Sequence, residues 1–383
     1  MSNYKIPILP LSVDVETKEI LKQLNKANRQ LAELKGIAQT IPNESILINS
    51  LTLQEAKDSS AVENIVTTHD ELYKADLDVE NYIMSASTKE VLNYRQAIQT
   101  GFSLVRKNKL LTNNILKQIQ EVLEGNKAGF RTVPGTTLKD GSGNVVYTPP
   151  QDSAEVKEMM ANLEQFINNE DLADLDPLIK VAIIHHQFES IHPFYDGNGR
   201  TGRILVILYL VTNDLLDLPI LYLSRYITHN KSEYYRLLQA IRENKKNEKD
   251  WQNWVLFVLK GIEETAKDTI LLVKGISKLM NEYKQVLRPL FGRQYKHELL
   301  NNLFFHPYTK IEFIERDLQV NRNSAAKYLE KIVEVGFLEK IKVWRTNYYL
   351  NAKLVDLLVN HSSNPTKRVE SIESIHAPEI NKS

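Results

Sequence analysis

Twelve residues, His192-Pro193-Phe194-Tyr195-Asp196-Gly197-Asn198-Gly199-Arg200-Thr201-Gly202-Arg203, constrain what this chain can fold into more than any other stretch. Before them, Leu178, Val181, Ile184 and Phe188 recur at helical spacing, and the run ends against Pro193, which a helix does not normally pass. After them, Arg-Thr-Gly-Arg-Ile-Leu-Val-Ile-Leu-Tyr-Leu reads as a buried helix. The order is therefore helix, glycine-rich turn, helix. Gly197 to Gly202 spells the G-x-G-x-x-G dinucleotide fingerprint, but that fingerprint needs a strand directly before it. A helical pattern stands there instead, which sets the dinucleotide fold aside.

The same residues are dense in chemistry. His192 is the side chain whose ordinary pKa lies nearest neutrality, suited to take a proton from an attacking hydroxyl. Asp196 is a hard oxygen ligand, fit for one position of an Mg²⁺ shell otherwise filled by water and phosphate oxygens. Gly197 and Gly199 let backbone N–H groups approach an anion, and the following helix presents its N-terminus to negative charge. Arg200 and Arg203 lie on neighbouring sides of the first turn and can fork onto phosphate oxygens. A zinc site from His185, His186 and His192 fails. Adjacent histidines point to different helix faces, and no H-E-x-x-H spacing or cysteine supports them. His185 and His186 read as packing residues.

His192 to Arg203 resembles the Fic signature, H-P-F-x-[D/E]-G-N-G-R-x-x-R, at every specified position. The likeness extends over about residues 5 to 260. It implies a mainly α fold, with an all-helical Fic core carrying a β-hairpin flap. It also implies AMP transfer from ATP to a Ser, Thr or Tyr hydroxyl of a target protein, with Mg²⁺ as cofactor and self-modification expected. In that reading His192 is the general base and Asp196 holds the metal. Gly197, Asn198 and Gly199 form the anion hole, Arg200 binds phosphate and Arg203 the γ-phosphate, with Thr201 and Gly202 also counted among the ATP contacts.

Ser59-Ser60-Ala61-Val62-Glu63-Asn64 resembles the inhibitory motif of the family, [S/T]-x-x-x-E-[G/N], through Ser59, Glu63 and Asn64. The likeness implies that Glu63 competes with ATP for Arg203 and, in some relatives, helps remove AMP again. A plainer reading competes: Ser60-x-x-Glu63 is also a capping box, which starts a helix for no functional purpose. Further along, the β-formers of residues 129–150 are split by Asp140-Gly141, a hairpin signal. The resemblance makes it the target-positioning flap, with Val145, Val146 and Tyr147 as its edge. Lys231 to Arg242 reads as a helix with Tyr234 and Tyr235, either of which could flank adenine; Tyr235 is the better match to the family, and a plain core role for the aromatics stays open.

Length and composition set the frame. With 383 residues, two or three domains are expected, and 48 basic against 48 acidic side chains leave no global field for nucleic acid or membrane. The absence of cysteine excludes disulfides and thiol catalysis. The N-terminus lacks an apolar signal region, and the longest apolar run, Ile204 to Val211, falls short of the ~20 residues that span a bilayer. A cytoplasmic protein without membrane contact is expected. The expected organisation is an N-terminal helical region over 1–90, a core over 91–265, a linking helix over 266–295, a winged-helix domain over 296–352 and a disordered tail over 353–383. Within them, helices are expected over 14–40, over 51–80, and over 86–124 with a break near Lys107 to Thr112.

In the C-terminal part the order is helix (His297–Phe305), helix (Lys310–Asp317), helix (Asn323–Val335) and a β-pair (Phe337–Leu350). Arg322, Lys327, Lys331, Lys340, Lys342 and Arg345 would face phosphates if this module binds DNA. Interspersed Glu330, Glu334 and Glu339 favour dimerisation or protein docking instead, and both partners stay open, as does a homodimer. Besides the autoinhibited adenylyltransferase, the sequence leaves a Doc-like kinase or other phosphate-group transferase, disfavoured by the presence of both arginines, and a nucleotide-sensing DNA regulator.

Overall fold

A computed structural model describes residues 4–76, 84–243, 248–343 and 346–360. The fold is mostly helical with two small antiparallel sheets among the described residues. The chain divides into two compact units, Met1–Ile270 and Leu271–Ser383.

The first unit opens with α1 (Lys18–Ala38), α2 (Glu44–Val62), α3 (His69–Asp76), α4 (Ala86–Asn108) and α5 (Asn113–Glu124). The hairpin β1 (Leu138–Lys139) and β2 (Val145–Tyr147) follows, then α6 (Ser153–Asn168), α7 (Pro177–Ile191), α8 (Asn198–Thr212), α9 (Ser224–His229) and α10 (Lys231–Glu243). The helix starts obey local chemistry. Thr17, Asn43, Ser85, Thr112, Asp152 and Asp176 each accept a hydrogen bond from a first-turn N–H, and Pro177 follows the last of them. The break expected near Lys107 to Thr112 is made by Lys109, which closes α4 in the left-handed conformation.

At the centre, α7 and α8 pack against each other, and α4, α5 and α6 pack around them. Every residue of α7 from Leu178 to Ile191 is buried, as an all-round apolar helix must be. The helix α2 is different. It buries Ser50, Thr52, Gln54, Glu55, Ser59 and Ser60 against α4, α8 and α9, so polar groups line its inner face. The capping-box reading of Ser60 and Glu63 is overturned here: α2 starts at the Asn43 cap, and Glu63 closes its C-terminal end. Residues 77–80, expected as helical, lie outside the described residues.

A single helix, α11 (Glu248–Phe291), runs through the unit boundary, so the linking helix expected from residue 266 begins 18 residues earlier, at 248. The second unit continues with α12 (His297–Phe305), β3 (Tyr308–Thr309), α13 (Ile311–Leu318), α14 (Arg322–Glu334), β4 (Glu339–Val343), β5 (Thr346–Leu350) and α15 (Ala352–Asn360). Its sheet has the order β3-β5-β4, all antiparallel, with Tyr308 opposite Leu350 and Ile341 opposite Tyr348. Leu299, Leu303, Ile314, Leu329, Ile332, Leu354 and Leu358 fill its core. The two-residue β3 is too short to leave an alternating pattern in sequence. Residues 353–360, expected in a disordered tail, instead form most of α15, because Leu354 and Leu358 supply one apolar face. The rest of that tail and Arg345 lie outside the described residues.

Candidate active site

The helix α7 ends where its chemistry begins. His192 takes the left-handed conformation (φ 50°, ψ 59°), and its N–H donates to the carbonyl of Phe188 at 2.9 Å. Burial and the neighbouring Arg242 and Arg131 hold the imidazole down to about 3, so it is neutral at physiological pH, the form a base requires. Its Nδ1 is buried without a hydrogen-bond partner among the described residues.

The loop from His192 to Gly197 is tied to itself. The Asn198 side chain accepts from Phe194 N–H at 2.8 Å and donates to Phe194 C=O at 2.9 Å. Its amide therefore braces the loop, and only its backbone is left to meet an anion. Gly197 caps α8 at φ 74°, a conformation that only glycine adopts freely. A Cβ on Gly199 would sit 2.6 Å from the Glu63 Oε1 atom and 3.2 Å from Arg203 Nη1, so a bare backbone is needed where these groups converge. The first turn of α8 thus offers unpaired N–H groups beside a buried arginine, an arrangement that holds phosphate. Asp196 is exposed, with Oδ1 accepting from Gly197 N–H at 2.7 Å. One carboxylate with an outward oxygen fits Mg²⁺, which keeps most of its shell for water and phosphate. Among the described residues no cluster of three or more His, Cys, Asp or Glu could hold a metal alone.

Arg203 is the most heavily engaged side chain. Only 3% of it is exposed. Its Nε donates to Ser59 Oγ at 2.8 Å, and its Nη2 donates to Ser59 C=O at 3.1 Å and to Glu63 Oε1 at 2.9 Å. Glu63 is lowered by this guanidinium against the opposing effect of its own burial. Asn64, in the left-handed region, accepts from Lys231 Nζ at 2.9 Å, which fixes the turn that follows Glu63. Tyr235 is 43% exposed, with its ring 5.1 Å from that of the buried Tyr234. Burial and the Glu63 charge raise its phenol well above the ordinary tyrosine value, with Arg203 opposing them.

Other expected site residues have packing and pairing contacts of their own. Arg200 is buried and spanned by two carboxylates, Glu90 at 3.0 Å and Glu124 at 2.9 Å, so here it is a strut between α8, α4 and α5. The Thr201 side chain is fully buried. A Cβ on Gly202 would meet Glu189 Oε1 at 2.7 Å and Phe188 at 3.0 Å. Both therefore face the helix packing and not an open site, because positions 201 and 202 fall on the inner side of α8. In the hairpin, Val145 and Val146 are exposed while Tyr147 is buried, its hydroxyl donating to Ser190 C=O at 2.9 Å. Tyr147 anchors the strand; it does not offer an open side chain.

Several polar residues at the site escaped the sequence reading. Glu55 accepts from Tyr94 Oη at 3.0 Å and Ser224 N–H at 3.1 Å, and burial pushes its carboxyl up to about 7. Glu189, near Arg203 and Arg242, is likewise pushed up to about 7, with Oε1 unpartnered among the described residues. A glutamate inside the apolar run of α7 is a legible signal, since buried carboxylates are rare. Arg131 carries no such signal. A cavity of about 820 Å³ lined by Lys35, Glu44, Arg106, Asp217 and others does not include the motif. Two ion pairs lie in its wall, Lys35 with Asp217 at 3.2 Å and Arg106 with Glu44 at 2.7 Å.

Three family models match consecutive stretches: the Fic/DOC family N-terminal region over residues 21–103, the Fic/DOC family over 109–210, and the C-terminal domain of SoFic-like protein adenylyltransferases over 279–354. The chain is 24% identical over 265 residues to the protein adenylyltransferase Fic of Drosophila erecta, covering 65% of this chain and 49% of that protein. It is 30% identical over 143 residues to the protein adenylyltransferase fic-1 of Caenorhabditis elegans, covering 34% and 25%. The chain spans about half the length, or less, of these curated relatives. Among solved structures, a Fic family protein from Desulfovibrio desulfuricans aligns with a TM-score of 0.55 at 18% identity, over 89% of this chain and 98% of that one. A Fic domain containing signaling protein from Bacteroides thetaiotaomicron aligns at 0.52 and 17% identity, over 65% and 97%. At such identities the likeness is one of fold.

Proposed function

This chain belongs to the Fic/DOC family, and we propose that it transfers AMP from ATP to a hydroxyl side chain of a target protein, itself included, and is held inactive by Glu63. The observation that carries the reading is the grip of Ser59 and Glu63 on Arg203, beside the glycine-rich start of α8 and 11 residues beyond a neutral His192. In the reaction His192 takes the proton of the target hydroxyl as its oxygen bonds to the α-phosphorus. The bond from that phosphorus to the bridging oxygen breaks, and pyrophosphate leaves with the electron pair. The first-turn N–H groups of α8 and Arg203 would bind the departing phosphates. Asp196 would hold Mg²⁺, which supplies charge neutralisation on those oxygens when bound.

The exposed Val145 and Val146 suit the flap to a target segment paired along its edge, with Gln239 Nε2 donating to Val146 C=O at 3.0 Å from α10. Arg203 is the ligand that ATP and Glu63 contest. With Glu63 in place, the γ-phosphate loses its cation and the α-phosphate is not aligned for in-line attack. The adenine would lie against Tyr235. In the second unit, Arg322 pairs with Glu312 at 2.7 Å and Lys340 with Glu330 at 2.6 Å. Basic groups already neutralised favour a winged helix that docks protein over one that grips DNA. No helix among the described residues is long and apolar enough to cross a membrane.

The test uses ATP labelled on the α-phosphate beside ATP labelled on the γ-phosphate, with the Glu63→Gly variant. Label from α on protein supports adenylylation. Label from γ alone overturns it in favour of kinase chemistry.

A further inference from the structure

The C-terminus of α7 has an unusual problem, and one residue solves it. A helix leaves its last carbonyls without intrahelical donors. The left-handed His192 satisfies one, at Phe188. The next N–H would satisfy another in a Schellman closure, but Pro193 has none. The carbonyls of Ser190, Ile191 and His192 are met from the flap. Tyr147 Oη donates to Ser190 C=O at 2.9 Å. Arg131 Nη2 donates to Ile191 C=O at 3.3 Å, and its Nε to His192 C=O at 2.8 Å. The same Nη2 also donates to the carbonyl of Pro150, beyond the hairpin's second strand. The backbone continues the tie: Arg131 N–H donates to Pro193 C=O at 2.8 Å, Thr132 N–H donates to Tyr195 Oη at 2.9 Å, and the Phe130 ring lies 5.2 Å from that of Phe194. Arg131 itself is 1% exposed.

We propose that Arg131 is a positioning residue for the transfer: its guanidinium joins both ends of the flap to the backbone of His192, so base and target-binding edge keep one register. The inference rests on the adenylylation reading. The left-handed conformation is unfavourable for a histidine and persists only if its surroundings enforce it. Arg131 enforces it from the carbonyl side. A planar fork reaches three carbonyls at once, which a lysine ammonium on a flexible stem does not reproduce. Arg131 also adds positive charge near the imidazole, helping to keep it neutral.

The experiment compares Arg131→Lys and Arg131→Ala in the Glu63→Gly background. We expect self-labelling from α-labelled ATP to fall on the order of 100-fold in both, as a misplaced base does, while ATP affinity changes less than about threefold, since the phosphate cradle lies on α8. Millimolar guanidinium ion should restore part of the Arg131→Ala rate. The His192 ring, followed by NMR, should titrate at higher pH in Arg131→Ala. If Arg131→Ala does not fold, Arg131→Lys carries the rate test alone. A folded Arg131 variant that labels at the parental rate overturns the proposal. If the Glu63→Gly parent transfers no AMP at all, the functional reading fails and the proposal that rests on it fails too, an outcome distinct from a folded Arg131 variant that labels at the parental rate.

Discussion

Replacing Glu63 by glycine should make the protein less stable on its own and a tighter binder of ATP. The contact removed is one charge-assisted hydrogen bond, Arg203 Nη2 to Glu63 Oε1 at 2.9 Å. Such bonds contribute about 1.5–3 kcal/mol. The carboxylate side chain is 36% exposed while its partner is 3% exposed, so screening on one side only argues for about 2 kcal/mol. Arg203 keeps both bonds to Ser59 and stays in place. In the wild type a phosphate must displace the carboxylate, so its loss should tighten the ATP Kd by about 30-fold. Calorimetric titration with the Mg²⁺ salt of ATP measures this, with α-labelled self-modification alongside. The opposite signs are diagnostic: the variant should melt lower without ATP and gain more from it. An ATP Kd within about twofold of wild type, with unchanged labelling, would refute competition for Arg203.

Other consequences are separately measurable. His192→Ala should bind ATP as the parent does yet transfer AMP at least about 100-fold more slowly in the Glu63→Gly background; full-rate transfer would remove the base assignment. Arg200→Ala should destabilise the fold by about 3 kcal/mol in urea, because it leaves Glu90 and the largely buried Glu124 unpaired; an unchanged midpoint would mean the strut is idle. Glu189 is raised from 4.5 to about 7, so its folded state holds the proton more tightly than the unfolded chain. That contribution is complete below pH ~4.5 and is lost as pH rises through about 7. Relative to Glu189→Gln, the wild type should therefore lose up to about 3 kcal/mol between pH 4.5 and 8, and parallel stability curves would show that Glu189 does not titrate there.

The Glu63 contact also marks what could be read early. The helix–turn–helix order around His192 was legible because apolar spacing, Pro193 and the glycines are local instructions. The pairing of Glu63 with Arg203 was legible only through the family resemblance; the contact itself depends on α2 lying against α8. Arg200 shows partners that no motif announced. Its spacing suits a phosphate ligand, but the Glu90 and Glu124 carboxylates, more than 70 positions away, already hold it. The burial of Thr201 and the close approach of Gly202 to Glu189 were not legible either, because a motif gives no helix phase relative to α7. Ser60 and Glu63 satisfied a capping pattern at the wrong end of their helix.

By itself the sequence determined the elements and their chemistry, since periodicity, caps and a glycine-rich turn act over a few residues. Only the tertiary structure decided which charges meet. It left one arginine contested and the other already neutralised, and it set Arg131 on the last carbonyls before the base. The reason is that the partner of a buried charge is fixed by desolvation at a site built from distant segments, and no local pattern encodes that choice.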